Sequence, residues 1–272
     1  MNSHATNDID HSADQAPQGL LAPDEPQPWL LERADGPSAF LLLCDHAGTR
    51  IPRRLASLGL PAGEVQRHIG WDIGAAALSR KLAEALDATL ILQPYSRLVI
   101  DCNRPLQSPE SIVSASEYTL IPGNQVVAAE DAARRVREIF APYHACIREQ
   151  LDARQRRGQP TLLIAMHSFT PIFHGNLRPW HIGVLYNRDD RLARALITAL
   201  GSEAGLMVGD NEPYTVGDDT DYAIPEYGER RGLPHVELEI RQDLIADEAG
   251  QREWALRLAR LLPPLVGPLV SL

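Results

Sequence analysis

Residues Phe40-Leu41-Leu42-Leu43-Cys44-Asp45-His46-Ala47-Gly48 decide how this chain is to be read. Five apolar side chains in a row stop at an acid, an imidazole and two small residues. This is the pattern of a strand covered on both faces that delivers a reactive loop. The pattern returns at Leu162-Leu163-Ile164-Ala165-Met166, which breaks into His167-Ser168. In an open α/β sheet, ligands bind beyond the carboxyl ends of the strands, so two imidazoles delivered there are placed to share a metal ion. A third run, Val236-Glu237-Leu238-Glu239-Ile240-Arg241, brings carboxylates to the same kind of position. Together the three runs point to metal-assisted hydrolysis.

Working outward, residues 70–86 carry Ile73, Ala76, Ala77, Leu78, Leu82 and Leu86 at helical spacing. Strands are predicted over 90–93 and 98–101, on either side of Pro94-Tyr95-Ser96-Arg97, followed by a long helix from about Val126 to Arg157 that Gly158 and Pro160 stop. Strands over 161–166 and 181–186, a helix over 190–201 and a short strand over 206–208 come next. A polar loop over 209–221, a short helix over 222–231, a strand over 234–240 and a closing helix over 246–262 complete the series. This alternation predicts a three-layer α/β/α fold around a mostly parallel sheet. Residues 1–27 are polar and Pro-rich and are expected to form a disordered arm; residues 28–272, folded from near Trp29, are expected to be a single α/β catalytic domain.

Apolar residues make up 44% of the 272 and charged ones 23%, enough to bury a substantial core. The formal net charge of −10 argues against a nucleic-acid surface, which needs clustered cations, and leaves a small molecule as the expected partner. No apolar run is long enough to cross a bilayer, and the start Met1-Asn2-Ser3-His4 lacks the cationic head of a secretory signal. Cys44, Cys102 and Cys146 are odd in number and lack metal-type spacing, as expected for a reduced, cytoplasmic protein. A homo-oligomer is left open. No internal repeat and no phosphate-binding glycine loop occur.

A neutral imidazole ligates zinc without a large deprotonation cost, so His46 and His167 are the first two candidate ligands. One such histidine alone would read more readily as a strand-end cap; the recurrence favours ligation. A hydrolytic zinc site takes a third protein ligand, for which Asp72 in His68-Ile69-Gly70-Trp71-Asp72-Ile73-Gly74 is the candidate. The same aspartate would also serve as a helix N-cap. Asp45 and His68 are reserve ligands. Glu239 is the candidate general base, and it shares a strand face with Glu237 because side chains alternate. Arg97, Asn103 and Arg104 could clamp a small anion, with Arg104 also able to offset charge in the reaction; a structural ion pair with Asp101 is the alternative. Ser168, Asn211 and Tyr214 are further substrate-binding candidates. Arg178 and His181 rank below them, and His144 and His235 read as structural.

Taken together, these segments resemble the N-formylglutamate amidohydrolase family. The resemblance rests on Cys44-Asp45-His46-Ala47-Gly48-Thr49 with Pro52, on Trp71-Asp72 and on His167-Ser168. It rests further on Tyr95-Ser96-Arg97-Leu98-Val99-Ile100-Asp101-Cys102-Asn103-Arg104-Pro105 and on Glu237-Leu238-Glu239-Ile240-Arg241-Gln242. It implies a fold similar to zinc carboxypeptidases and aminoacylases, with a mixed sheet between helices. The implied activity is hydrolysis of a small acidic N-acyl amino acid, typically releasing formate and glutamate in histidine breakdown, with zinc or another divalent metal as cofactor. In that wider group an Asn-Arg pair grips the substrate carboxylate, matched here by Asn103-Arg104, and a late-strand Glu is the base, matched by Glu239. The carboxypeptidases carry a ligand Glu three positions after the first histidine; Thr49 stands there, so Asp72 must supply that oxygen. The alternatives are a binder or sensor of an acidic metabolite on the same fold, or a zinc peptidase or aminoacylase with another acyl group.

Overall fold

The computed structural model describes residues 19–270. Its strands are β1 (Leu30–Glu32), β2 (Phe40–Cys44), β3 (Thr89–Leu92), β4 (Ala115–Ser116), β5 (Thr119–Leu120), β6 (Leu162–Phe169), β7 (Ile172–Phe173), β8 (Asn176–Leu177), β9 (Ile182–Leu185), β10 (Val208–Asp210) and β11 (His235–Arg241). The helices are α1 (Ala75–Leu86), α2 (Ala129–Arg135), α3 (Ala141–Arg156), α4 (Arg191–Gly201), α5 (Glu248–Leu261) and α6 (Val266–Val270). Seven strands form one sheet in the order β1-β3-β2-β6-β11-β9-β10. β3, β2, β6 and β11 run parallel; β1 is antiparallel to β3, β9 is antiparallel to β11, and β10 is parallel to β9. The sheet is therefore mixed and mostly parallel, between helices on both faces, as expected.

Strand alternation sorts the side chains between two apolar layers. Leu42, Leu90, Ile164, Met166, Val236, Leu238 and Ile240 pack on the face covered by α1, α4 and α5. Leu41, Leu43, Ile91 and Leu163 meet Ile139, Tyr143, Ile147 and Leu151 of the α2–α3 layer. In the centre, β6 and β11 pair with His167 opposite Glu239 and Ala165 opposite Glu237. Parity puts His167, Glu237 and Glu239 on the α2–α3 face, past the edge of its apolar layer. There the strand ends open into a cavity.

Several elements differ from expectation for identifiable reasons. Residues 98–101 are no strand but a buried turn segment, since Val99 and Asp101 donate to the Ser96 and Ser111 carbonyls rather than to a neighbouring strand. The Leu98 and Val99 carbonyls are satisfied by the buried side chains of Asn124 and Arg135. The helix expected from residue 70 begins at Ala75, because Gly74 sits in the left-handed region at φ +82°. The long helix expected over 126–157 contains a π turn at Val136–Phe140 before Pro142, whose missing N–H breaks the regular ladder. The late short strand lies at Val208–Asp210, where it pairs with Ile182–Val184. The two-residue strands of the β4–β5 and β7–β8 hairpins are too short to show a periodicity.

Of the arm expected over 1–27, residues 1–18 lie outside the described residues. Residues 19–27 pack on the body instead: Leu20 is 3% exposed, the Leu21 N–H donates to Glu138, and the Pro26 carbonyl accepts from the Tyr95 hydroxyl. Among the described residues no helix is long and apolar enough to cross a membrane. Cys44, Cys102 and Cys146 are free and buried.

Two glycines let the loops approach the strand ends. A Cβ on Gly183 would sit 2.1 Å from the Glu212 carbonyl oxygen, so the 211–214 loop crosses the sheet here only over glycine. A Cβ on Gly74 would sit 2.2 Å from the Ile245 carbonyl oxygen as well as in a left-handed conformation. Gly74→Ala is expected to cost at least about 1–3 kcal/mol, the range for such backbone strain alone. Urea unfolding measures it; an unchanged midpoint would mean that the turn carrying Asp72 relaxes freely.

Candidate active site

The site is assembled by five chain segments that hydrogen bonds tie together. The Asp72 N–H donates to the His46 carbonyl, joining the loop after β2 to the turn before α1. The Ser96 hydroxyl donates to the Gly70 carbonyl, which draws residues 94–105 to the same turn. β6 and β11 supply the floor. The resulting cavity, about 700 Å³, is lined by His46, Asp72, Arg97, Asn103, Arg104, His167, Ser168, Asn211, Tyr214 and Glu239; of the lower-ranked candidates His68 lines it, and Asp45, Arg178 and His181 do not.

At its base two rings share one carboxylate oxygen. Nδ1 of His167 lies 2.8 Å and Nδ1 of His46 3.4 Å from Asp72 Oδ2. The opposite ring nitrogens face other acids: His46 Nε2 is 2.7 Å from Asp101 Oδ1, and His167 Nε2 is 3.5 Å from Asp45 Oδ2. Asp45 Oδ1 in turn accepts from the Tyr143 hydroxyl at 2.7 Å. Burial works against imidazolium, yet the surrounding carboxylates outweigh it and hold both histidines above their ordinary pKa. Burial alone would raise Asp72, but the two rings bring its pKa down.

The residues fit a divalent metal. One ligand atom from each of His46, Asp72 and His167 lies within 4.8 Å of the others, and all three residues are buried. Two imidazoles and a carboxylate are a zinc donor set, for which ligand bonds of about 2.0–2.2 Å apply. The Asp101 carboxylate fixes the His46 ring from behind, as at metal-bound histidines generally, and the Asp45 carboxylate faces the back of His167 at 3.5 Å. The reserve ligands stand elsewhere: Asp45 is behind His167, and His68 pairs with Glu117 at 3.0 Å at the side of the cavity.

Glu237 and Glu239 both turn into the cavity, each pushed up to about 8 chiefly by burial. Glu239 Oε2 is buried and has no hydrogen-bond partner. Arg97 donates through Nε and Nη2 to Asp101 Oδ2 at 3.0 and 2.7 Å, and its Nη1 is 3.7 Å from Asp72 Oδ1. Arg104 pairs with Glu110 at 3.0 Å and approaches Asp221 at 3.5 Å. Both ends of the Asn103 amide are engaged: Oδ1 accepts from the Tyr222 and Ala223 N–H groups, and Nδ2 reaches Asp221 and Glu237. The Ser168 hydroxyl donates to the Ile73 carbonyl, Asn211 Oδ1 accepts from the Tyr186 N–H, and the Tyr214 hydroxyl accepts from Arg178.

Sequence reasoning passed over Asp101 and Asp45 as the acids behind the histidines, and it had no signal for Tyr143, which is one aromatic in a long helix. The Asp101–Arg97 ion pair weighed as an alternative is present, and the same carboxylate also holds His46.

Sheet order and two buried histidines near parallel strand ends define a mixed α/β/α fold with a candidate metal site. The profile of the N-formylglutamate amidohydrolase family matches residues 38–246, and the chain belongs to that family. A protein of Pseudomonas aeruginosa named N-formylglutamate deformylase is 25% identical over 249 residues, covering 85% of this chain and 91% of its own. The crystal structure of a gene product from Agrobacterium tumefaciens is 36% identical, with a TM-score of 0.88 over 92% of this chain and 98% of that one. That of an N-formylglutamate amidohydrolase from Ralstonia eutropha superposes with a TM-score of 0.70 at 18% identity, over 90% and 98%; this likeness is one of fold.

The double engagement of Asn103 has a measurable consequence. Asn103→Ala strips one buried and one half-buried N–H group of their acceptor and is expected to lower stability by about 2 kcal/mol without any ligand present. Denaturant unfolding tests it; full stability would leave Asn103 free for a substrate.

Proposed function

We propose that this chain is a metal-dependent amidohydrolase that removes the formyl group from a small acidic N-formyl amino acid such as N-formyl-L-glutamate. The observation that carries the reading is the convergence of two Nδ1 atoms on Asp72 with a carboxylate behind each ring. The relatives named N-formylglutamate deformylase support the substrate class. Zinc, or another divalent cation, held by His46, Asp72 and His167 would supply Lewis acidity toward the amide carbonyl and the attacking water. In this reading residues 19–270 form one catalytic domain that works in the cytoplasm.

Glu239 carries the proton. Its Oε2 is free of protein partners, and burial brings the carboxyl near neutrality, where a group both accepts and releases a proton readily. It takes a proton from the water that adds to the formyl carbon and returns it to the nitrogen as the C–N bond breaks, leaving formate and the free amino acid. Arg97 keeps Nη1 available to offset negative charge building on the carbonyl oxygen while Asp101 holds its other edge. Arg104 and Tyr214 orient the substrate, and Asn103 braces the floor beneath it.

Glu239→Gln is expected to keep the metal and lose about a hundredfold or more in kcat. Amine release from N-formyl-L-glutamate and elemental analysis of the same sample check both halves, and undiminished turnover would remove Glu239 from the chemistry. Near-stoichiometric zinc is expected in the purified protein, with activity lost on dialysis against a chelator and regained on zinc addition. A stripped protein that still turns over at full rate would sink the metal assignment. A panel of N-formyl and N-acetyl amino acids separates deformylase from aminoacylase, and binding of an acidic amino acid without turnover of any panel member would favour the sensor.

A further inference from the structure

Two arginines line the cavity and a third stacks on its aromatic wall, and they differ in what already neutralises them. Arg97 is doubly bonded to Asp101 and lies near Asp72, while Arg104 is paired with Glu110 and Asp221. A guanidinium satisfied by protein carboxylates has little charge left for a ligand. Arg178, directly after the β7–β8 hairpin, has no carboxylate within 4.0 Å among the described residues. Its guanidinium carbon lies 4.5 Å from the Phe173 ring centre and 4.7 Å from that of Tyr214, with Phe169 at 6.0 Å. Nη1 donates to the Tyr214 hydroxyl at 2.8 Å. Stacking of this kind holds the plane of the fork while leaving its remaining N–H donors unspent.

All three of these aromatic rings line the cavity. Arg178 is not itself a lining residue; it meets the cavity wall through these rings and through the Tyr214 hydroxyl that its Nη1 holds. The lining is otherwise rich in acids: Asp221, Glu237, Glu239, Glu117 and Glu212 all face it. A dianionic substrate entering such a space needs one cation that the protein has not already matched.

We propose that Arg178, held between Phe173 and Tyr214, is the subsite for the side-chain carboxylate of the substrate and sets the preference for acidic over neutral N-formyl amino acids. The proposal rests on the deformylase reading and adds to it the residue that chooses the side chain. Arg178 touches no reacting atom, so its removal shows in KM rather than in kcat.

The test uses the zinc-loaded full chain and Arg178→Met, which keeps an unbranched stem between the rings. For N-formyl-L-glutamate, KM is expected to rise about 10- to 100-fold, the loss of a hydrogen bond to a charged group, with kcat within a few-fold of the parent. For N-formyl-L-glutamine both constants are expected to stay unchanged, so the preference collapses. Arg178→Lys should recover part of it, and Arg178→Gln replaces the Met variant should that fail to fold. Equal losses on both substrates, or a preserved preference for glutamate, would overturn the proposal. Calorimetric binding of L-glutamate against L-glutamine separates it from the reading it rests on. If the parent hydrolyses no N-formyl amino acid, the deformylase reading fails. The subsite then stands only if glutamate binds the parent more tightly than glutamine and the Met variant abolishes the difference.

Discussion

The structure depends on one oxygen atom. Asp72 Oδ2 stands within hydrogen-bonding reach of Nδ1 on both His46 and His167, and the Ser168 N–H approaches it as well at 3.3 Å. Burying a carboxylate costs several kcal/mol unless it is matched, and here the match comes from groups on different strands. The turn at residues 70–74, the end of β2 and the end of β6 must therefore arrive together. Each of the three segments is tied down by contacts that do nothing else: Gly74 against Ile245, the Asp72 N–H on the His46 carbonyl, and Met166 in the apolar layer beneath.

The same logic extends outward one shell. Asp101 hydrogen-bonds His46 and is held by Arg97, and Asp45, held by Tyr143, faces His167 at 3.5 Å, so each imidazole has behind it an acid that is itself anchored. Tyr143 belongs to α3, deep in the layer that covers the opposite half of the sheet. The metal-type cluster is thus coupled to the packing of a helix whose residues never reach the cavity. Burial pushes the Tyr143 phenol well up, and the Asp45 carboxylate adds to the effect, so the hydroxyl remains a donor across the physiological range.

The chemistry-bearing strand ends were legible because physics writes them plainly. An apolar run that stops at a histidine has few structural uses, and Glu237 with Glu239 on one face of β11 breaks the continuous apolar run expected of a strand covered on both faces. The helices over 190–201 and 246–262 were legible from their apolar spacing and lie within two residues of α4 and α5 at each end. Residues 98–101 misled for an equally physical reason. Leu98, Val99 and Ile100 are as apolar as any strand, but their backbone groups are satisfied by local turns and by Asn124 and Arg135, which are distant in sequence. The packed stretch 19–27 misled because its Leu20-Leu21 anchor was averaged into a polar segment. Pairing was legible only where the acid is a sequence neighbour, as Asp101 is of Arg97; Arg104 with Asp221, and Arg178 with no acid, could not be told apart.

That last distinction decides how the cavity treats charge. An ion pair buried beside a ligand presents a dipole, not a unit charge, and its reach falls off faster with distance than that of an unmatched cation. Arg97 at Asp101 and Arg104 at Asp221 consequently shape the cavity more than they attract into it. Their placement still matters, because the second carboxylates of these networks are the ones that hold His46 and Asn103. Attraction of an anion into an acid-lined space must then come from what remains uncompensated: the histidine-aspartate centre when it holds a dication, and the arginine stacked at Phe173. The two lie on different elements, the first fixed by the sheet and the second carried by a short hairpin after β6. A fold that keeps the first while exchanging the second can change its substrate without disturbing the chemistry.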